Sequence, residues 1–380
     1  MTATAYRFGI EEEFFLADAA TRGTPRRGLA GFHAAARALL PAAERELLQS
    51  QIEIATPPST AFGEARAALD GLRRGLAEIG RAHGILVFGA GTHPSAAWDD
   101  QRPTDGARYR GILDEVRMVG RRTLVGGMHV HVEVARPDDR VDLMNRLLPF
   151  LPLLLALSVS SPFWQGRATG LSGYRLSVFG EMPRTGLPDL FATADDFARY
   201  VQVMTQAGAI RDASFLWWHL RPSVRFPTLE LRIADSCTRV DDAVAIAALY
   251  RCLVRLAERR PGLNAGLSGV GRALIRENLW RAQRDGVRAA LIDEASARAV
   301  PFGEALDGTL GLLAEDAAAL GCAAELDGAR RILREGTSAD LQLAAHEAGC
   351  RDGGSDEAGL AAVVDRLAEL TEGRGSGRAR

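Results

Sequence analysis

"YRFGIEEEFFLAD", residues 6–18, sets three consecutive acids inside a run that otherwise reads as a buried β-strand. Side chains alternate along a strand, so Phe8, Ile10, Glu12, Phe14 and Leu16 share one side. Gly9, Glu11, Glu13 and Phe15 share the other. Glu11 and Glu13 then project together, and neighbouring carboxylates repel unless one takes a proton or a cation lies between them. An isolated acidic pair fits a solvated sheet face equally well, so the decision rests on other segments.

In "LVGGMHVHVEVA" (124–135), Met128, Val130, Val132 and Val134 form an apolar face, which leaves His129, His131 and Glu133 in register opposite. Two histidines at i and i+2 followed by an acid favour a ligand role over a structural one. "LLQSQIEIATPP" (47–58) sets Gln51 and Glu53 against Ile52 and Ile54. "FPTLELRIADS" (226–236) sets Glu230 and Arg232 against Leu229, Leu231 and Ile233. If these strands share one sheet, their polar faces make a basin lined by Glu11, Glu13, Glu53, His129, Glu230 and Arg232. That is a ligand set for two or three Mg2+ or Mn2+ ions carrying a polyphosphate.

Composition narrows the field. The 380 residues are 47% hydrophobic and 25% charged with a net charge of −2, values of a globular protein with no electrostatic call for nucleic acid or an anionic membrane. The 46 basic residues are all arginine. The absence of lysine excludes a Schiff-base lysine and a Walker A loop, so arginine, backbone amides or metal must hold any phosphate. No GxGxxG turn follows a strand, which disfavours a dinucleotide-binding Rossmann domain. Cys237, Cys252, Cys322 and Cys350 are scattered and read as reduced, buried thiols. The first residues lack a secretory n-region, so a cytoplasmic location is expected. The apolar run at 147–159, broken by Pro149 and Pro152, reads as a buried helix too short for a bilayer.

Periodicity predicts strands at 6–17, 47–56, 85–90, 122–134, 215–222 and 228–235, with helices near 29–43, 61–82, 107–118 and 194–208. The fold class is therefore α+β: an antiparallel or mixed sheet with helices packed outside and a largely helical C-terminal half. We expect one catalytic domain over 1–371, sheet-rich to 236 and helix-rich from 237, followed by a disordered tail at 372–380. Homo-oligomerisation is left open.

"FGIEEEFFLAD", "QIEIATPP", "GGMHVHVEV", "SPFWQGRATGLSGYR" and "RPSVRFPTLELRIADSC", in this order, resemble the ATP-dependent carboxylate-amine ligases related to type 2 glutamate-cysteine ligase. The resemblance covers roughly residues 6–345. It implies a glutamine synthetase-like curved antiparallel sheet forming a funnel. It also implies ATP-dependent activation of a carboxylate to an acyl phosphate, which an amine attacks to give an amide, ADP and phosphate. By motif position Glu11, Glu13, Glu53, His129 and Glu230 match metal ligands, with Glu53, Glu230 and Arg232 at the catalytic centre. Glu12 points away. Arg232, Arg221, Arg225 and His131 fall to the nucleotide. Arg175 or Arg184, with Tyr174, is assigned to a substrate carboxylate, and the loops at 91–106 and 163–186 to selectivity. Glutamate and cysteine are the family's familiar pair.

Two other readings compete. "HVH" on a strand also suits a zinc-dependent hydrolase, which would need further histidines such as His93 and His219. A nucleotide-binding protein without turnover would keep the same fold.

Overall fold

The computed structural model describes residues 5–374. Its centre is a seven-stranded antiparallel sheet. The strands are β1 (Phe8–Asp18), β2 (Ala43–Arg45), β3 (Gln51–Ala55), β4 (Ile85–Phe88), β5 (Met128–Glu133), β6 (Leu220–Pro222) and β7 (Thr228–Leu231). Their order is β6-β7-β5-β1-β3-β2, with β4 pairing the far end of β1. β1 is thus the central strand, and its sequence shows why. Burial alternates from Phe8 to Glu13, where one face looks into open space, and becomes continuous from Phe14 to Ala17, where both faces are covered.

On the apolar side Phe8, Ile10, Phe14, Ile52, Ile54, Val130, Leu229 and Leu231 join one core with helices. Up to residue 259 the helices are α1 (Leu29–Leu39), α2 (Phe62–Ala82), α3 (Ala107–Arg121), α4 (Arg140–Leu147), α5 (Leu151–Ser158), α6 (Arg175–Phe179), α7 (Ala194–Gln206) and α8 (Val240–Arg259), of which α2, α5 and α8 contribute most to this core. Glu12 lies among them, fully buried, and the α2 residue Arg73 grips it in a fork of 2.9 and 2.5 Å. The same guanidinium donates to the carbonyls of Cys237 and Thr238 at 2.8 Å each. One buried ion pair therefore ties the central strand, a covering helix and the chain beyond β7. A second cluster covers the other end of β1. There Phe15, Ala17 and Phe88 meet Phe163, Trp164 and four apolar residues of the last helix, Leu360, Val363, Val364 and Leu367.

After residue 237 the chain is mainly helical: α8, α9 (Gly269–Asp285), α10 (Phe302–Leu312), α11 (Ala314–Leu320), α12 (Ala323–Glu335), α13 (Ser338–Gly353) and α14 (Asp356–Thr371). Three departures from the expected pattern stand out. A hairpin of β8 (Ala290–Asp293) and β9 (Arg298–Pro301) interrupts the helical half. The edge strand β2 carries too few residues to show a period. Trp217 and Trp218 pair in parallel with Thr185 and Gly186 outside the main sheet, so the expected strand at 215–222 contributes only its end.

The helical run Pro137–Ser158 spans 22 residues, long and apolar enough by length and composition to cross a membrane, but 78% of its most apolar window is buried within the protein. It is longer than the segment the apolar run alone marks, because the prolines fall in first-turn positions where no amide donor is needed. Of the expected tail, Glu372 accepts a 2.7 Å bond from Arg81 on α2, and 375–380 lie outside the described residues.

Candidate active site

Strand register assembles the site. Glu13 lies opposite Glu53, Glu11 opposite His129, His131 opposite Glu230, and Glu230 opposite Arg221. Four antiparallel pairings thus bring residues as distant in sequence as Glu11 and Glu230 into one band on the face away from the main core. Side chains opposite each other in a ladder lie close enough to interact directly. The band forms the floor of a cleft of about 320 Å³, which also exposes Glu46, Arg175, Phe179, Trp217 and Arg225.

Three groups of ligand atoms converge in it, each with its atoms within 4.8 Å of one another: Glu11, His131 and Glu230; Glu11, Glu53 and His129; Glu13, Glu46 and Glu53. Their electrostatics differ. Burial pushes the Glu53 carboxyl well above its ordinary range, and the carboxylates of Glu46, Glu11 and Glu13 add to the rise. Burial also raises Glu13, although the Gly127 amide donates to it at 2.6 Å. Glu11 is half-buried, yet hydrogen bonds and charge from His129 and His131 hold it far below the usual carboxylate range. Burial and the neighbouring Arg232 lower the pKa of His129, which favours its neutral form. Its Nδ1 lies 3.2 Å from Glu11, and its buried Nε2 has no hydrogen-bond partner and sits 3.7 Å from a Glu13 oxygen. An imidazole lone pair facing a carboxylate is the arrangement that a shared cation resolves. The donor set fits hard divalent ions.

The cationic wall lies alongside. Arg221 clasps Glu230 in a fork of 2.7 and 3.1 Å and donates to the carbonyls of Ser214 and Leu216. Arg232 reaches the same carboxylate, and its Nε is buried without a partner. These two guanidinium groups hold Glu230 below the carboxylate range in spite of burial. Glu230 is therefore spent largely on orienting arginines, with one edge left toward Glu11 and His131. Arg225 lines the rim and is exposed.

Arg175 is 2% exposed and lies in the cleft floor. Its NH1 and NH2 donate to the carbonyls of Ile233 and Arg232, and its Nε has no partner. Gly127 makes room for it: a Cβ there would lie 2.3 Å from the Arg175 NH2. Two other expected substrate contacts are not brought into the cleft lining. Arg184 is drawn to Glu115 at 2.5 Å and stacks 5.4 Å over the Trp217 ring, so it stands behind a residue that does line the cleft. Tyr174 packs against Trp164 at 5.9 Å, because it precedes α6 on the side facing the second apolar cluster. Loop 163–186 supplies Arg175, Phe179 and Met182 to the lining, and loop 91–106 supplies nothing.

Sequence reading missed Glu46, together with Glu44 and Arg45. The signal was the alternating "ERE" ahead of "LLQSQIE", but a three-residue edge strand is legible only once β3 is there to pair with it. Glu133 leaves the site, since it sits at the end of β5 and pairs with Arg7 at 3.0 Å. His93 is buried between Phe15 and Phe88. Neither it nor His219 lines the cleft, so the described residues offer the two "HVH" imidazoles no third.

A family model described as glutamate-cysteine ligase family 2 matches residues 7–364. The chain belongs to that family. Its members are ATP-dependent ligases that form an amide bond, and so is this protein. A Rhodospirillum rubrum protein provisionally named glutamate–cysteine ligase 2 is 44% identical over 380 residues, covering 98% of this chain and 97% of that one. One from Ectopseudomonas mendocina, named likewise, is 45% identical over 370 residues, covering 97% and 98%. Among solved structures, glutamate–cysteine ligase from Francisella tularensis in complex with AMP matches with a TM-score of 0.68 at 14% identity, over 97% of this chain and 89% of that one. A bifunctional glutathione synthetase from Pasteurella multocida matches with a TM-score of 0.67 at 16% identity, over 96% of this chain and 52% of that longer chain. At such identities these two likenesses speak to the fold alone.

Proposed function

We propose that this ligase joins the carboxylate of an amino acid such as glutamate to an amine such as that of cysteine, through an acyl phosphate, within one catalytic unit over 1–371. The observation that carries the reading is the band of Glu11, Glu13, Glu46, Glu53, His129 and His131 beside Arg221 and Arg232. On this reading the curved sheet is a glutamine synthetase-like funnel with the band as its floor. The carboxylates and His129 would hold two or three magnesium ions, which when bound neutralise charge on nucleotide phosphates.

The chemistry has two steps. A substrate carboxylate oxygen attacks the γ-phosphorus of ATP, and the bond to the bridging oxygen of ADP breaks. The amine nitrogen then attacks the acyl carbon, phosphate leaves with the bonding pair, and the nitrogen gives up a proton. Neither step calls for a covalent protein nucleophile, so the protein's share is positioning and charge. Arg232 and Arg221, held in place by Glu230, present planar donors to phosphate oxygens, and Arg225 adds charge at the rim. Arg175 sets positive charge in the floor, where a substrate carboxylate is stabilised. Phe179, Met182 and Trp217 give the mouth an apolar wall.

The test combines Mg-ATP, hydroxylamine and a panel of amino acids. The reading expects an amino-acid hydroxamate with stoichiometric ADP. Nucleotide binding with no ADP release across the carboxylate and amine panel would support a binding protein without turnover instead.

A further inference from the structure

Helices α13 and α14 form an antiparallel hairpin whose closed end carries a second cluster of side chains able to bind metal, none of which lines the cleft. His346 and Cys350 are four residues apart on α13 and so share a face. Asp356 opens α14, immediately after the capping Ser355. His346 Nε2 lies 2.9 Å from Asp356 Oδ1 and 3.7 Å from Cys350 Sγ, and ligand atoms of all three residues lie within 4.8 Å of one another.

We propose that His346, Cys350 and Asp356 bind a zinc ion that clasps this hairpin. Zinc–sulfur and zinc–nitrogen bonds of about 2.3 and 2.0–2.1 Å at a tetrahedral angle separate sulfur from nitrogen by about 3.6 Å; Cys350 Sγ stands at 3.7 Å from Nε2 and 3.8 Å from Nδ1, so the imidazole turns about its χ2 to aim Nε2 at the shared ion. The same geometry separates nitrogen from a carboxylate oxygen by about 3.3 Å, so Asp356 moves back by a few tenths of an ångström. A plain His–Asp ion pair has no need of the thiol, whereas here the opposite helix is cut away to admit it. A Cβ at Gly359 would fall 2.5 Å from Cys350 Sγ and 2.9 Å from His346 Nε2. The mixed sulfur, nitrogen and oxygen set selects a borderline-soft ion, unlike the hard ions suited to the carboxylate cleft. The Asp356 side chain is 72% exposed, which leaves the fourth position to water.

The clasp would act on rigidity near the cleft. The His346 ring packs on Phe163 at 4.9 Å. Phe163 and Leu360 share a cluster with Phe15, two residues along β1 from Glu13.

The test uses full-length protein freed of metal by chelation and held in excess Mg2+ to occupy the cleft. Co2+ added as a probe should give a thiolate-to-metal charge-transfer absorption at one equivalent, and Zn2+ should abolish it. Cys350→Ser should remove the band and weaken zinc binding by at least ~10-fold, with unchanged far-UV circular dichroism. Zn2+ should raise the melting temperature of the parent protein and leave that of Cys350→Ser in place. Absence of the band in the parent overturns the proposal, as does its survival in Cys350→Ser.

Discussion

Replacing Glu53 by glutamine should strengthen the fold and abolish the chemistry at once. Glu53 is half-buried, and its carboxyl oxygen lies within 4.8 Å of those of Glu13 and Glu46. Two like charges about 5 Å apart repel by about 3 kcal/mol at an effective dielectric near 20. Protonation relieves part of this, so the penalty that remains at neutral pH without divalent ions is about 1–2 kcal/mol. Glu53→Gln keeps the shape and discards the charge. Without metal its melting temperature should therefore rise by roughly 1–3 °C. With Mg2+ the order should reverse, because the parent gains a bound ion that the variant holds poorly. ADP release should fall by about 100-fold or more, as when a group that stabilises transition-state charge is lost. Scanning fluorimetry with and without Mg2+, beside a coupled ADP assay, measures all three. A variant less stable than the parent without metal and equally responsive to Mg2+ would refute the idea that the carboxylates are held together for a cation.

The pH dependence of stability follows from the same groups. The raised pKa of Glu53 means that its contribution, present below the ordinary carboxylate range, is lost as pH rises through its folded value. The lowered pKa values of Glu11 and Glu230 contribute stability above the ordinary range that disappears as pH falls toward their folded values. Thermal melts between pH 5 and 8 should thus show Mg2+ stabilising the protein increasingly as pH rises, and a flat Mg2+ effect would count against the scheme. Arg73→Met should cost about 3–5 kcal/mol, since it strands the buried Glu12 and two carbonyls. Urea unfolding reads that loss, and the double variant Glu12→Gln with Arg73→Met should recover part of it.

Much of the site could be read from the chain because its strands are amphipathic with period two. Glu11 and Glu13 on one strand, His129 and His131 on another, and Glu53 and Glu230 on two more each stand opposite an apolar face. Alternation is a local property, and burial of one face enforces it. Glu12 was legible for the same reason, as the residue that turns the other way. Its partner was not, because Arg73 lies 61 residues further on, in a helix whose other arginines are mostly exposed.

By itself, then, the sequence determined the four strands that carry the site's acids and histidines and the face each shows, since both follow from hydrophobic period over a few residues. Only the tertiary structure decided which residues meet. It set Glu46, the residue just past a three-residue edge strand, beside Glu53, turned Glu230 toward two arginines, and held Arg184 and Tyr174 outside the cleft. Those outcomes depend on register and packing between segments far apart in the chain, and no local pattern encodes such distances.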